Sequence, residues 1–171
     1  ETAGLVGGAS VAVAGDVVVV PYTSGEVFAL RPENGRVAWS DSLSRSGRLT
    51  ALAEISDVAG LPVLDRGVAI VVGHAGRMAA IDLRSGRRIW EANLASVQSP
   101  WAAGNFLFVV TVNAEVLAIS RDDGRIRWVR QLSRFGDERN REDPIQWSGP
   151  VLAGDRLILG SSTGEVVALS P

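Results

Sequence analysis

Cysteine and lysine are both absent from the 171-residue chain. Without cysteine there is no disulfide framework, no thiol nucleophile, no Cys-ligated zinc and no iron–sulfur cluster. Without lysine, lysine-dependent chemistry is excluded, and G-x-x-x-x-G-K-[ST] does not occur. A single histidine, His74, leaves no His-pair metal site and no H-E-x-x-H; at the tip between two expected strands it reads as a solvated turn residue. Long apolar runs are missing too. The longest, around Gly67 to Gly73, is far short of the roughly 18 to 20 residues of a membrane-spanning helix. The chain opens at Glu1 with no Met, basic n-region or apolar h-region, so any targeting signal is expected to lie outside it. Charge of one sign is lacking as well: 17 basic residues, all arginine, stand against 19 acidic ones, for a net charge of −2. With 46% apolar residues, that balance describes a globular chain rather than a disordered or nucleic-acid-coating one.

What is present is a repeat. Three segments obey A-[LI]-x4-G-R-x2-W: Ala29-Leu30 to Trp39, Ala80-Ile81 to Trp90, and Ala118-Ile119 to Trp128; a fourth begins at Ala168-Leu169. Upstream of each lies an apolar run, a small turn and a second strand-like block: Val17–Tyr22 then Gly25–Val27, Val68–Gly73 then Gly76–Met78, Phe106–Val112 then Ala114–Val116, and Leu157–Ser161 then Gly164–Val166. A third block precedes those: Ser10 to Gly15, Leu61 to Gly67, Ser99 to Gly104 and Gly149 to Gly154. Each block is short, rich in Val, Ile and Leu, and bounded by turn residues, which is the signature of β-strands. Asn34-Gly35, Ser85-Gly86 and Asp123-Gly124 supply glycine where a tight connection needs positive φ. No stretch sustains a helical period over ten residues.

Each unit therefore holds four short antiparallel strands. The repeat tryptophans are separated by 51 and then 38 residues, and about 38 residues with four strands is the size of a propeller blade. The pattern predicts an all-β β-propeller, here an incomplete arc of about three and a half blades. The expected blades are 9–40, 60–91, 99–129 and 148–171, the last incomplete, with inter-blade inserts at 41–60 and 133–146. Propellers close with about four to eight blades. The chain is thus expected to be a fragment, or to complete itself by pairing with another copy.

The Ala-Leu-x4-Gly-x3-Trp unit resembles the repeat of quinoprotein-type propellers, in which an outer-strand tryptophan docks on the neighbouring blade. The resemblance gives that role to Trp39, Trp90 and Trp128. Tryptophan suits it because the ring buries much apolar area while its N–H finds an acceptor. A narrower resemblance covers nearly the whole chain. Ile55-Ser56-Asp57-Val58, Pro62-Val63, Ala80-Ile81-Asp82-Leu83-Arg84-Ser85-Gly86, Ile89-Trp90 and Leu94-Ala95-Ser96-Val97 are similar to the middle of the BamB family, propeller lipoproteins of the outer-membrane β-barrel assembly machinery.

That resemblance implies a non-catalytic scaffold, without cofactor or metal, that docks on the periplasmic POTRA domains of BamA, with unfolded outer-membrane proteins as possible further partners. It implies the periplasmic face of the outer membrane of a Gram-negative bacterium, and a lipid anchor outside the sequence. Asp57 matches an acidic position of the family's binding loop, while Ala59 stands where a second acid is found. Leu5 matches an apolar contact, and Val6 falls where the family often has arginine.

Other candidates have plainer readings beside the functional one. Leu49, Leu52 and Ile55 are apolar residues of the first insert that either fold back over the blade or form the apolar part of a docking patch. Trp101 and Trp147 sit beside the expected inner strands, where packing between blades competes with presentation of a ring to the channel. Asp122-Asp123-Gly124 reads as a hairpin turn. Gly136 to Asp143 mixes both signs and reads as a solvated, flexible inter-blade loop, with partner contact as the alternative; its spacing is not that of an EF-hand.

The competing function class is a periplasmic quinoprotein dehydrogenase binding pyrroloquinoline quinone over calcium. Val11–Ala14, Val63–Leu64, Trp101–Ala103 and Val151–Ala153 offer almost no carboxylate for it, and the vicinal cysteine pair often found there is absent. A third reading is a propeller that binds peptide or sugar. Fold alone does not choose among them.

Overall fold

The computed structural model describes residues 10–22, 24–43, 61–73, 76–96 and 98–171. They fall into two compact units, Glu1–Ser99 and Pro100–Pro171. The first holds two four-stranded sheets: β1 (Ala12–Ala14), β2 (Val17–Pro21), β3 (Glu26–Leu30) and β4 (Val37–Ser42), then β5 (Val63–Asp65), β6 (Val68–Gly73), β7 (Arg77–Asp82) and β8 (Arg88–Ala92). In both, strand order follows chain order and every neighbour is antiparallel.

The second unit repeats the plan with β9 (Trp101–Ala103), β10 (Phe106–Val110), β11 (Glu115–Ser120) and β12 (Ile126–Gln131). A short hairpin follows, β13 (Phe135–Asp137) and β14 (Glu142–Pro144). A three-stranded sheet ends the unit: β15 (Trp147–Ala153), β16 (Arg156–Ser161) and β17 (Val166–Leu169). No helix occurs among the described residues.

Side chains alternate across a pleated strand, so burial patterns tell which strands are covered on one face and which on both. In β2 burial alternates along Val17–Pro21, whereas β6 and β7 are buried almost throughout, as their continuous apolar runs require. The first unit's core joins Val17, Val19, Val27, Ala29, Trp39 and Leu43 of one sheet to Ala69, Val71, Ala79 and Ile81 of the other. In the second unit Phe108, Val110, Ala114, Val116, Ala118 and Leu132 pack with Trp147, Leu157 and Leu159.

The glycine turns are wider than two-residue hairpins. Each glycine N–H returns to a carbonyl four residues back: Gly35 to Arg31 at 2.8 Å, Gly86 to Asp82 at 2.9 Å and Gly124 to Ser120 at 2.9 Å. A bulge follows in each sheet, at Ala29/Leu30, Ala80/Ile81 and Ala118/Ile119. The bulge puts the repeat tryptophan opposite the repeat alanine, pairing Ala29 with Trp39, Ala80 with Trp90 and Ala118 with Trp128. The insert 133–146, expected as a loop, forms the hairpin β13–β14, with Phe135 opposite Pro144 and Asp137 opposite Glu142.

Candidate functional site

Repeat tryptophans and turn glycines meet in the first unit. Trp39, on edge strand β4, is 8% exposed, and its indole N–H donates to the Leu83 carbonyl at 2.8 Å. Leu83 lies in the turn between β7 and β8, so the bond joins neighbouring sheets. The ring lies against Gly86, whose φ is +72°; a Cβ there would stand 2.5 Å from Trp39 Cβ and 2.6 Å from its Cγ. Glycine is required twice at this point, for its backbone conformation and for the absence of a side chain. The turn is held by Asp82, whose Oδ1 accepts the Ser85 N–H at 2.8 Å and the Ser85 hydroxyl at 2.6 Å. The Ser85 hydroxyl bond is the main reason the Asp82 carboxyl is held below its ordinary range, with the Ser85 N–H next.

A charged clamp lies beside that contact. The Arg88 guanidinium on β8 grips Asp41 of β4 with two bonds, Nη2 to Oδ1 at 2.6 Å and Nε to Oδ2 at 3.0 Å, and donates to the Ser42 carbonyl at 2.9 Å. It also pairs with Glu91, which in turn lies 3.7 Å from Arg77. The Asp41 bond is the first reason the Arg88 pKa rises above its ordinary value. Neither Asp41 nor Arg88 drew attention in the sequence. The available signal was positional: Asp41 lies two residues after its repeat tryptophan and Arg88 two after its turn glycine.

In the second unit Trp128 is half-buried on edge strand β12, its ring 6.1 Å from Phe108. Trp147 is buried, and its indole N–H donates to the Ser133 carbonyl at 2.8 Å. Trp101 on β9 is 38% exposed, while Trp90 is buried at the centre of β8. The hairpin spends its acids on itself. The Glu138 carboxylate accepts the N–H groups of Arg134 and Phe135, at 2.7 and 3.3 Å, and Asp137 accepts those of Arg139 and Asn140, at 2.9 and 3.1 Å. Asn140 accounts first for the lowered pKa of Asp137. Among the described residues no group of three or more His, Cys, Asp or Glu could hold a metal ion.

Strands β1, β5, β9 and β15 carry one carboxylate, Asp65 at the end of β5, just beyond the Val63–Leu64 block recognised in the sequence. The partner-binding candidates Leu5, Leu49, Leu52, Ile55 and Asp57, and His74 with them, lie outside the described residues. The structure accordingly brings together Trp39 and the Gly86 turn and says nothing of those six.

A family model described as outer membrane protein assembly factor BamB matches residues 1–130. The BamB protein of Escherichia coli (strain K12) is 31% identical over 148 residues, covering 85% of this chain and 35% of that protein. The Moranella endobia BamB is 27% identical over 158 residues, covering 92% of this chain and 38% of that one. The chain thus spans little more than a third of the length of these relatives. Among solved structures, BamB from Moraxella catarrhalis superposes with a TM-score of 0.77 at 16% identity, over 98% of this chain and 51% of that one. A quinohemoprotein alcohol dehydrogenase from Pseudomonas putida HK5 superposes at 0.70 with 14% identity, over 96% and 33%. At such identities these likenesses establish the fold, that of an incomplete β-propeller.

Proposed function

The chain belongs to the BamB family of outer membrane protein assembly factors, and on that premise we propose that it is part of a non-catalytic scaffold subunit of the outer-membrane β-barrel assembly machinery. The observation that carries this reading is the family match over residues 1–130. In the proposed role the subunit stands at the periplasmic face of the outer membrane of a Gram-negative bacterium and docks on the POTRA domains of BamA, with unfolded outer-membrane proteins as further partners. It works without a cofactor.

The sheets supply a stiff frame, tied in the first unit by Trp39 on the Gly86 turn and by the Asp41–Arg88 pair. Recognition then falls to segments outside the repeat. Asp57 supplies charge complementarity, which governs association and orientation, while Leu5, Leu49, Leu52 and Ile55 supply the desolvated centre of the contact. The dehydrogenase likeness carries the fold alone.

The test is calorimetric titration of the complete protein with the POTRA domains of its cognate BamA, run beside pyrroloquinoline quinone plus calcium. Saturable binding to the POTRA domains, weakened about tenfold by Asp57→Arg at unchanged circular dichroism, is the expected result. Unchanged affinity in the variant moves the interface away from Asp57. Binding to the quinone alone overturns the scaffold reading.

A further inference from the structure

In each repeat the connection between the first two strands has a left-handed residue at its first position: φ is +58° at Gly15, +49° at Arg66, +56° at Gly104 and +61° at Gly154. Three of these are glycine, which adopts that backbone freely, whereas any residue with a Cβ is strained there. Arg66 is the exception, a long cation held where the repeat uses glycine. It is exposed, as are Arg84 and Arg87 in the turn between β7 and β8. The two turns are bonded to each other, the Leu83 N–H donating to the Gly67 carbonyl at 2.9 Å. Arg66 precedes the acceptor residue and Arg84 follows the donor residue, so the two cations flank that bond.

The charge is particular to this repeat among the first three. Where the second repeat has Arg66, Arg84 and Ser85, the first has Gly15, Glu33 and Asn34, and the third has Gly104, Asp122 and Asp123. In the third, Arg125 pairs with Asp123 at 3.5 Å. Its counterpart Arg87 has a serine in place of that acid. Asp82 is bonded to Ser85 within the turn, and Asp65 is half-buried. Among the described residues Arg66, Arg84 and Arg87 form no ion pair. Neither turn exposes a large apolar side chain.

We propose that these two turns are a contact site for an anionic phospholipid surface, with Arg66, Arg84 and Arg87 pairing to headgroup phosphates. A protein interface is built on a desolvated apolar centre, and these turns have none. A layer of phosphates asks only for cations that reach it, and the fork of guanidinium donors fits phosphate oxygens. The left-handed backbone at Arg66 is then what the chain gives up for a cation at this spot. The assignment rests on the proposed place of the subunit at the periplasmic face of the outer membrane. It adds a contact apart from Asp57 and the apolar residues of the insert.

The test measures sedimentation of the 171-residue chain with vesicles of phosphatidylcholine and phosphatidylglycerol in equal parts, at low ionic strength. Saturable binding is expected, and none to vesicles of phosphatidylcholine alone. Arg66→Asn, which makes the Asn-Gly dipeptide favoured in such turns, should weaken binding about fivefold while the urea midpoint holds or rises. Adding Arg84→Gln should weaken it about fivefold again. In the POTRA titration Arg66→Asn should match the unaltered protein, so failure of the scaffold reading shows there and failure of this one shows with the vesicles. No binding to anionic vesicles, binding unchanged in both variants, or a urea midpoint lowered by Arg66→Asn would each overturn the assignment. So would Arg66-dependent binding of inorganic phosphate alone, or of polyglutamate as tightly as of the vesicles, or POTRA binding lost in Arg66→Asn.

Discussion

Replacing Gly86 by alanine separates two reasons for glycine that most turns confound. The new Cβ would stand 2.5 Å from Trp39 Cβ, which no rotamer change can withdraw, and 2.6 Å from its Cγ. Overfilling a packed site costs about 1 to 3 kcal/mol. The left-handed backbone, φ +72°, adds about 1 kcal/mol for any residue with a Cβ. Gly35 provides the control: its φ is +68°, and a Cβ there meets nothing within 4 Å. Gly35→Ala should therefore cost about 1 kcal/mol and Gly86→Ala about 2 to 4, the difference being the contact with Trp39. Urea unfolding followed by circular dichroism measures both. Trp39→Ala alone should cost about 3 to 5 kcal/mol, since the ring is nearly fully buried. In a Trp39→Gly background, which removes both the Cβ and the ring, Gly86→Ala should fall to the cost of Gly35→Ala, because neither clashing atom remains. Equal costs for the two glycines, or a Gly86→Ala cost unchanged by removing Trp39, would refute the docking geometry.

Arg88→Met should destabilise the chain by about 1 to 2 kcal/mol, between an exposed and a fully buried pair, and much less when Asp41 is already asparagine. A double-mutant cycle with zero coupling would make the Asp41–Arg88 contact energetically idle. Acid titration tests the turn aspartates. Asp82, Asp123 and Asp137 are held below the ordinary carboxylate range by hydrogen bonds, led by those from Ser85, Ser120 and Asn140 respectively. On acidification the unfolded chain takes up these protons first. Their contribution is thus complete above about pH 4 and is lost as pH falls through the lowered folded values. The triple asparagine variant should show a shallower fall in urea midpoint below pH 4, and an identical profile would refute the assignment.

The repeat was legible because its signals are local. Alternating Val, Ile and Leu, a turn glycine and a tryptophan four residues later define a sheet without knowledge of its neighbours. The tryptophan's partner was not legible in the same way. That Trp39 rests on Gly86 depends on two segments 47 positions apart, although the repeat marks both as special. Asp41 and Arg88 are equally distant and belong to no repeated motif, so only the superposition of two units brings them into register. The hairpin in 133–146 escaped for a different reason. Its left-handed positions are Arg141 and Asp143, at φ 58° and 55°, and arginine there gives no turn signal. Its closure depends on side-chain acceptors, Asp137 and Glu138, which in sequence look like ordinary solvated charges. Leu5, Asp57 and the apolar residues of the first insert rest on family resemblance and lie outside the described residues.

The placement of the acids argues about function as directly as any motif. A chain with 19 carboxylates invites a search for catalysis or metal binding. Several are committed to structure: Asp82 and Asp137 to turn N–H groups, Glu138 to the hairpin, Asp41 to Arg88. Hydrogen bonds hold the Asp82 and Asp137 carboxyls below the ordinary carboxylate range and pin them in place, which is the opposite of what a proton-shuttling group needs. The first strands of the four repeat sheets, β1, β5, β9 and β15, contribute one carboxylate, Asp65. A repeat built this way spends its acids on shape. On the proposed function, the capacity to choose a partner sits where the pattern is broken, in the insert 41–60 that carries Asp57.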